Sequence, residues 1–368
     1  MGLRGLALSL PIVVDNVIVG YPRNVETSSR VTIRDVAAQA GVSVATVSKV
    51  INGRYGVSAA TFARVRAVIE ELGYEASLVA QSLRNHRTNV IGILVADLEP
   101  FSTELLKGAA RAIRDTGFEL VVYSAGGRTS DHVGWEQRYL SRLSGTLIDG
   151  AVLVTPTVVD VRYSAPIVAV DPHTGQTDLH TVDSDNLHGG RLATEHLLAL
   201  GHRRVGMLGG RPDLQSAQLR ERGYRQAMAD AGVPVDASLI EVGAYDPGVS
   251  AQAAYRLLTA PHPPTAIFAA NDLSAIAAVA VATELGLSVP EDLSMVGFDN
   301  IPESALASPP LTTVSQPIHQ MGRCAVQMLI SLIRGEPVDA THITLATSLV
   351  VRESTQAALS PSAERIRA

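Results

Sequence analysis

The sequence predicts an α/β protein in which a small all-α head precedes a larger body built on parallel sheets. Residues 31–75 carry apolar residues at helical spacing and no strand-like run. From Val90 onward, short continuous apolar runs alternate with amphipathic stretches, a pattern typical of strands covered by helices on both faces. The length of 368 residues agrees, because it exceeds one compact core of ordinary size.

Three short helices are predicted in the head. Each begins at a good N-capping residue and ends before a glycine or an asparagine–glycine step, which gives Thr32–Ala40, Ser43–Ile51 and Ser58–Leu72. The residues expected to face inward from the second and third helices are Val47, Val50, Ile51, Phe62, Val65, Val68, Ile69 and Leu72. Three such helices form a minimal core.

Alternating strands and helices are predicted in the body. The strands are Val90–Val95, Leu120–Tyr123, Gly150–Val154, Ile167–Val170, Arg204–Leu208, Ala266–Ala269 and Ser294–Phe298. Amphipathic helices such as Glu104–Thr116 and Gly189–Leu200 lie between them. In parallel sheets of this kind, ligands bind at the carboxyl ends of strands.

Charge is distributed unevenly along the chain. The net charge of the chain is −6. Residues 30–90 contain eight Lys/Arg and four Asp/Glu, which gives them a net charge of +4, and the charges of residues 1–29 balance. The rest of the chain therefore carries −10. A basic head on an acidic body indicates a polyanionic partner for the head only. The single cysteine, Cys324, excludes an internal disulfide and a multi-cysteine zinc site, and no cofactor or metal is predicted.

Two head helices joined by a tight turn fit the major groove of DNA, with the second helix facing the bases. Its outer face offers Ser43, Val44, Ala45, Thr46, Ser48 and Lys49. Lysine reaches guanine or phosphate, small apolar side chains touch a thymine methyl, and hydroxyls suit either bases or phosphates. The alternative is a three-helix head that docks a protein, and the pattern favours DNA.

Polar residues stand where predicted strands of the body end. They are Asp97, Asp171, Asn271, Asp272 and Asp299. Carboxylates and amides, with an arginine and an aromatic ring nearby, suit the hydroxyls and C–H faces of a sugar. Each of these residues alone also fits a helix cap, and Trp135 either lines such a cleft or packs a helix.

An enzyme is the main rival class, because two carboxylates near a sugar suggest a glycosidase. No acid/base motif is recognisable, and Gly206-Met-Leu-Gly209-Gly210 lacks the spacing of a dinucleotide fingerprint. A secreted sugar-binding protein is the second rival. The basic head argues against it, and the apolar stretch Leu6–Val19 is interrupted by Asp15-Asn16 and lacks a cleavage site.

The stretch Val31–Gly53, VTIRDVAAQAGVSVATVSKVING, resembles the head of the lactose-repressor family of bacterial regulators. The likeness continues through Val57-Ser58, Leu72-Gly73-Tyr74 and Val79–Leu83 and ends at Val350–Thr355. It therefore covers nearly everything beyond residue 30. This number of matching positions makes the resemblance highly specific.

The resemblance implies roles for the head. The residues that match the family's recognition helix and its flank are Ser43, Val44, Ala45, Thr46, Ser48 and Lys49. Asn52 matches a backbone-contacting asparagine. Ser77–Arg84 matches a hinge helix whose leucine, Leu83 here, is wedged into the minor groove and kinks the duplex; without the family, Leu83 is a linker residue packed on the next domain. Lys49 stands where arginine is most common, which removes a bidentate donor.

For the body, the resemblance implies two Rossmann-like lobes of periplasmic-binding-protein type with a ligand cleft between them. One lobe is about 89–182 plus 317–344, and the other about 183–316 plus 345–356. Residues that match or lie near the family's ligand positions are Phe101, Arg220, Tyr245, Asn271 and Asp299. The expected protein is a cytoplasmic, nucleoid-associated homodimer that represses carbohydrate-use genes and is released from operator DNA by a sugar.

The resulting domain prediction has five parts. Residues 1–29 form a disordered or wrongly assigned N-terminal tail, and 30–75 form the helix-turn-helix head. Residues 76–88 form the hinge helix and linker, 89–356 the effector-binding and dimerisation domain, and 357–368 a flexible tail. No segment is predicted to cross a membrane, because the apolar stretch in the first tail is too short and too polar.

Overall fold

The computed structural model describes residues 31–358 except for gaps at 52, 54, 75–86, 127–133, 144–146, 158–164 and 173–178. The chain divides into two compact units whose boundary falls between Ser77 and Leu78. The N-terminal tail, the hinge helix, Asn52 and Leu83 lie outside the described residues. So does nearly all of the C-terminal tail.

The head consists of helices α1 (Ile33–Ala40), α2 (Val44–Ile51) and α3 (Ala59–Leu72). Its core is made of Val36, Ala37, Ala40, Val47, Val50, Val65 and Val68. The Asp35 carboxylate accepts a hydrogen bond from the Thr32 backbone N–H at 2.8 Å and so closes the first turn of α1. The prediction that Phe62 faces inward is wrong: its side chain is 40% exposed and is not part of this core.

The body contains two six-stranded sheets. The first lobe holds β1 (Val90–Val95), β2 (Glu119–Ser124), β3 (Gly150–Val154), β4 (Ile167–Val170), β5 (His180–Ser184) and β11 (His342–Leu345). The second lobe holds β6 (Val205–Gly209), β7 (Ile240–Val242), β8 (Ala266–Ala269), β9 (Ser294–Asp299), β10 (Thr312–Ser315) and β12 (Ser348–Val350). Every pair is parallel except β10 with β12, so the predicted α/β fold with parallel sheets is confirmed.

Helices cover the sheets. In chain order they are α4 (Pro100–Ala112), α5 (Trp135–Leu143), α6 (Asn186–Ala199), α7 (Gln215–Asp230), α8 (Pro247–Leu258), α9 (Asp272–Glu284), α10 (Pro302–Leu306) and α11 (Ile318–Arg334). Central strands such as β1, β3 and β4 are buried along their whole length, which explains their continuous apolar sequences. No helix in the described parts of the chain is long and apolar enough to span a bilayer.

The chain crosses between the lobes three times. The crossings lie between β5 and α6, between β10 and α11, and between β11 and β12. The first crossing therefore falls after Ser184, and residue 182, where the resemblance placed the lobe boundary, lies inside β5. Three neighbouring crossings form the hinge of a two-lobed fold with a cleft between the lobes.

Candidate functional site

The outer face of α2 is the candidate nucleic-acid interface. Ser43, Val44, Ala45 and Lys49 are exposed, whereas Val47 and Val50 are buried on the opposite side. This division follows the helical period, because α2 has only two turns and one of its faces must cover the core of the head. Lys49 is the cation on this face of α2.

Hydroxyl groups in the same region are partly engaged within the head. Ser43 Oγ accepts a hydrogen bond from the Thr46 backbone N–H at 3.1 Å and lies 2.9 Å from Thr46 Oγ1. Thr46 and Ser48 are half-buried. Ser43 therefore caps the helix, and Val44, Ala45 and Lys49 are the side chains most open to a partner.

A cavity of about 220 Å³ lies between the lobes, at the carboxyl ends of the strands. Fourteen residues line it: Ala96, Glu99, Phe101, Thr155, Asp171, Arg211, Leu214, Ser216, Arg220, Ala244, Tyr245, Asn271, Asp299 and Gln316. Backbone strain is concentrated there. Of the eight non-glycine residues with positive φ in the described part of the chain, five line this cavity. Strained conformations persist where surrounding structure holds a site in place.

Arg220 is the polar centre of the cavity, although only 4% of it is exposed. Its Nε donates to Asn186 Oδ1 at 2.8 Å, and one terminal nitrogen donates to the Ala270 carbonyl at 2.5 Å and lies 3.5 Å from Asp299 Oδ1. The guanidinium lies 3.7 Å from the centre of the Phe298 ring. These contacts fix the orientation of Arg220 before any ligand arrives.

Two aromatic rings bound the cavity. Tyr245 follows β7, and its ring centre lies 5.5 Å from the Arg220 guanidinium. Gly210 leaves room for that ring, because a Cβ at this position would approach it to 2.3 Å. The glycine-rich segment after β6 thus makes space for an aromatic wall. Phe101 packs against the core of the first lobe and contributes the second ring.

The cavity contains three carboxylates with altered acidity. Burial is the main cause in each case: it raises the pKa of Glu99 to about 7, that of Asp171 to about 7 and that of Asp299 to about 6. Repulsion from Asp299 raises the Glu99 pKa further, and Arg220 holds back the rise at Asp171 and Asp299. Clustered polar groups of perturbed pKa mark a candidate binding site.

Comparison with known proteins identifies both parts of the chain. The model of the bacterial regulatory proteins of the lacI family matches residues 32–77, and that of the periplasmic binding protein-like domain matches residues 194–355. The HTH-type transcriptional regulator CelR of Thermobifida fusca is 36% identical, over 89% of this chain and 99% of its own length. The chain belongs to the lacI family.

Solved structures of the lacI family share this architecture. A complex of the transcriptional regulator CelR with cellobiose has 35% sequence identity and a TM-score of 0.66, covering 88% of this chain and all of that one. The lac repressor dimer bound to operator and the anti-inducer ONPF has 30% identity and a TM-score of 0.79, covering 89% and 99%. The prediction of a lacI-family transcription regulator is therefore confirmed.

The structure brings most of the predicted cleft residues together. Six of the seven effector-binding candidates line the cavity: Phe101, Asp171, Arg220, Tyr245, Asn271 and Asp299. Asp97 does not. Its side chain is exposed and Oδ1 accepts a hydrogen bond from the Leu98 N–H at 2.8 Å, so it closes a turn instead. Trp135 packs edge-on against Tyr139 in the first lobe and is not among the lining residues.

Sequence reasoning missed several lining residues. Glu99 lies two positions after Asp97 and directly precedes α4, where it takes the place in the cleft that Asp97 was expected to fill. Gln316 was missed because the strand that it follows, β10, reads Thr-Thr-Val-Ser and carries no apolar run. Its amide donates to Asp299 Oδ1 at 2.6 Å. The only available signal was the position of Gln316 directly before the amphipathic helix α11.

Proposed function

We propose that this lacI-family regulator binds operator DNA through α2 and a saccharide in the interlobe cleft, and that the saccharide weakens operator binding. The proposal rests on the side chains that line the cavity. They offer carboxylates, an amide and an arginine beside two aromatic rings, the combination that a polyhydroxylated ring requires. The likeness of the chain to a regulator that was solved with cellobiose supports a carbohydrate effector.

The DNA-binding surface is proposed to be Ser43, Val44, Ala45, Thr46, Ser48 and Lys49, together with Asn52 and Leu83. The likeness to a repressor dimer on its operator supports this surface and a homodimeric assembly. A dimer places two heads on two half-sites about one helical turn apart. Its place of action is proposed to be the cytoplasm, at the nucleoid, and its activity is binding without catalysis.

The effector is tested by a thermal-shift screen of mono- and disaccharides. Each sugar that raises the melting temperature is then added to a fluorescence-anisotropy titration of a labelled operator duplex. We expect the best sugar to weaken operator binding about 5- to 150-fold. A sugar that tightens operator binding would be a corepressor and would contradict the proposed sign.

Asn271→Ser is the sharpest variant for this test. Asn271 caps α9 by accepting a hydrogen bond from the Ser274 N–H at 3.0 Å, and serine retains that capping function while it removes the amide from the cleft. We expect operator affinity to be unchanged and the sugar response to be lost. Asp246→Ser, which alters the cap of α8 outside the cavity lining, should respond normally.

Operator binding is tested by its salt dependence. Lys49→Ala should weaken specific binding by about 1–3 kcal/mol and relax sequence preference at one position in each half-site. The operator affinity of the parent should fall steeply with salt, because the basic head displaces counterions.

Chromatography of the sugar after prolonged incubation with the protein checks for catalysis, and a hydrolysed product would favour the enzyme class.

A further inference from the structure

The described lining of the cleft contains more carboxyl groups than cationic side chains. Glu99 and Asp171, which follows β4, enter the cleft from the first lobe, and Asp299 enters it from the second. The cationic side chains that line the cavity are Arg211 and Arg220. Whether an acidic ligand is accepted depends on whether either arginine can still pair with it.

Both arginines already have carboxylate partners. Arg211 holds Asp213 through two hydrogen bonds, at 3.1 Å and 2.6 Å. Arg220 is engaged by Asn186, the Ala270 carbonyl and Asp299, as described above, and faces an aromatic ring. An anion in the cleft would therefore have to share each guanidinium with a carboxylate that already lies beside it, and a buried anion without a cationic partner of its own is strongly disfavoured.

Glu99 differs from the other two carboxylates because the groups in the described part of the chain that shift its pKa include no cation. Asp299 and Asp97 act on it by repulsion, and the Ser102 hydroxyl by a hydrogen bond. Glu99 is half-buried, and its pKa of about 7 reflects that environment. The Glu99 carboxylate repels a negatively charged group in the cleft, whereas it can accept a hydrogen bond from a hydroxyl or an ammonium group.

We propose that the effector is a saccharide without acidic groups, and that Glu99 is the residue that excludes sugar acids and sugar phosphates. An amino sugar is accepted at least as well as its neutral parent. This inference rests on the proposed function that a saccharide occupies the cleft, and it narrows the chemical class of that saccharide.

The test uses sets of sugars that share a ring configuration and differ in charge. They are glucose, glucosamine and glucuronate; galactose, galactosamine and galacturonate; and cellobiose, chitosan dimer and cellobiouronic acid. Binding to the full-length protein is measured by calorimetry at pH 7.5. In the set that binds, the acid should bind on the order of tenfold or more weakly than the neutral sugar.

Glu99→Gln should reduce this discrimination, the ratio of the Kd of the acid to the Kd of the neutral sugar, at least threefold, and the comparison of ratios does not require the affinity for the neutral sugar to stay constant. Asp97→Asn is the matched control, since it removes a carboxylate from the same loop outside the cavity, and it should discriminate as the parent does. An acid that binds the parent within threefold of its neutral parent sugar overturns the inference, as does full discrimination in Glu99→Gln. If no sugar in any set binds, the proposed function fails, and the inference fails with it.

Discussion

A carboxyl group whose pKa is higher in the folded state than in the unfolded state destabilises the fold as pH rises. Glu99 is such a group, with a folded pKa of about 7 against an ordinary 4.5. The folded state binds more protons between these values, so the free energy of unfolding falls as pH rises through 7. Glu99→Gln removes this contribution. Its stability relative to the parent should increase by roughly 1 kcal/mol between pH 6 and pH 8.

Urea unfolding at several pH values measures this difference. The half-buried His196 and the buried His202 have pKa values that are lowered mainly by burial, so they contribute in the opposite direction. They do so equally in both proteins and cancel in the comparison. Asp97→Asn should follow the parent much more closely. A constant difference between Glu99→Gln and the parent would show that Glu99 has no raised pKa.

Arg220 has two roles that its sequence motif does not separate. It lines the cleft, and it is also a buried charge that connects Asn186, Ala270 and Asp299. Arg220→Ala should abolish the effector response, but it should also lower the free energy of unfolding by about 3 kcal/mol or more, because Asp299 then loses its charged partner.

Denaturant unfolding separates the two effects. The control is Arg211→Ala, whose half-exposed ion pair with Asp213 should contribute about 1 kcal/mol or less. Equal losses in the two variants would mean that the network around Arg220 contributes no special stability. In that case Arg220→Ala would be as clean a test of effector binding as Asn271→Ser.

At the scale of elements, the crossings between the lobes are connected to the cleft by a short chain of hydrogen bonds. Ser184 Oγ donates to Gln316 Oε1 at 2.5 Å, and Gln316 donates in turn to Asp299. Thr347 Oγ1 donates to the Asp185 carbonyl at 3.2 Å, which joins the third crossing to the first. A ligand that bonds to Asp299 therefore acts on a group already connected to the hinge.

Ser184→Ala leaves the buried Gln316 Oε1 without its hydroxyl donor. We expect a loss of about 1–3 kcal/mol in the free energy of unfolding, measured with urea. Ser141→Ala on the exposed side of α5 should change stability by no more than about 0.5 kcal/mol. If Ser184→Ala lowers the free energy of unfolding no more than Ser141→Ala does, the hydrogen bond from Ser184 to Gln316 does not stabilise the connection between the hinge and the cleft.

The elements that sequence reasoning found are those whose burial leaves a plain pattern. β1, β3, β4 and β8 were predicted with their observed bounds, because strands covered on both faces are continuously apolar. β10 and β11 escaped notice because threonine and histidine interrupt the pattern. Both flank crossings, and Gln316, which directly follows β10, was missed with them, although the resemblance had placed the crossings between the lobes near residues 182, 316 and 344. Most of the other cleft residues that were missed lie in loops, where spacing gives no period to detect; they are Ala96, Glu99, Thr155, Arg211, Leu214 and Ala244.

At the scale of the whole molecule, the described head and the body are separate compact units with opposite charge. The head has the small basic surface that the phosphate backbone attracts, and the body supplies the cleft. Because the two units are proposed to bind different ligands, any communication between them is an equilibrium between conformations of one molecule. Thermodynamic linkage then places a strict condition on the two affinities.

Operator and sugar must change each other's affinity by the same factor. If saturating sugar raises the operator Kd twentyfold, saturating operator duplex must raise the sugar Kd twentyfold. Anisotropy gives the first ratio and calorimetry the second, at equal salt and at protein concentrations where sedimentation shows a dimer. Asn271→Ser should keep the parent's operator affinity while the sugar no longer changes it. Unequal ratios in the parent would mean that the sugar acts outside this two-state equilibrium, for example by altering the dimer.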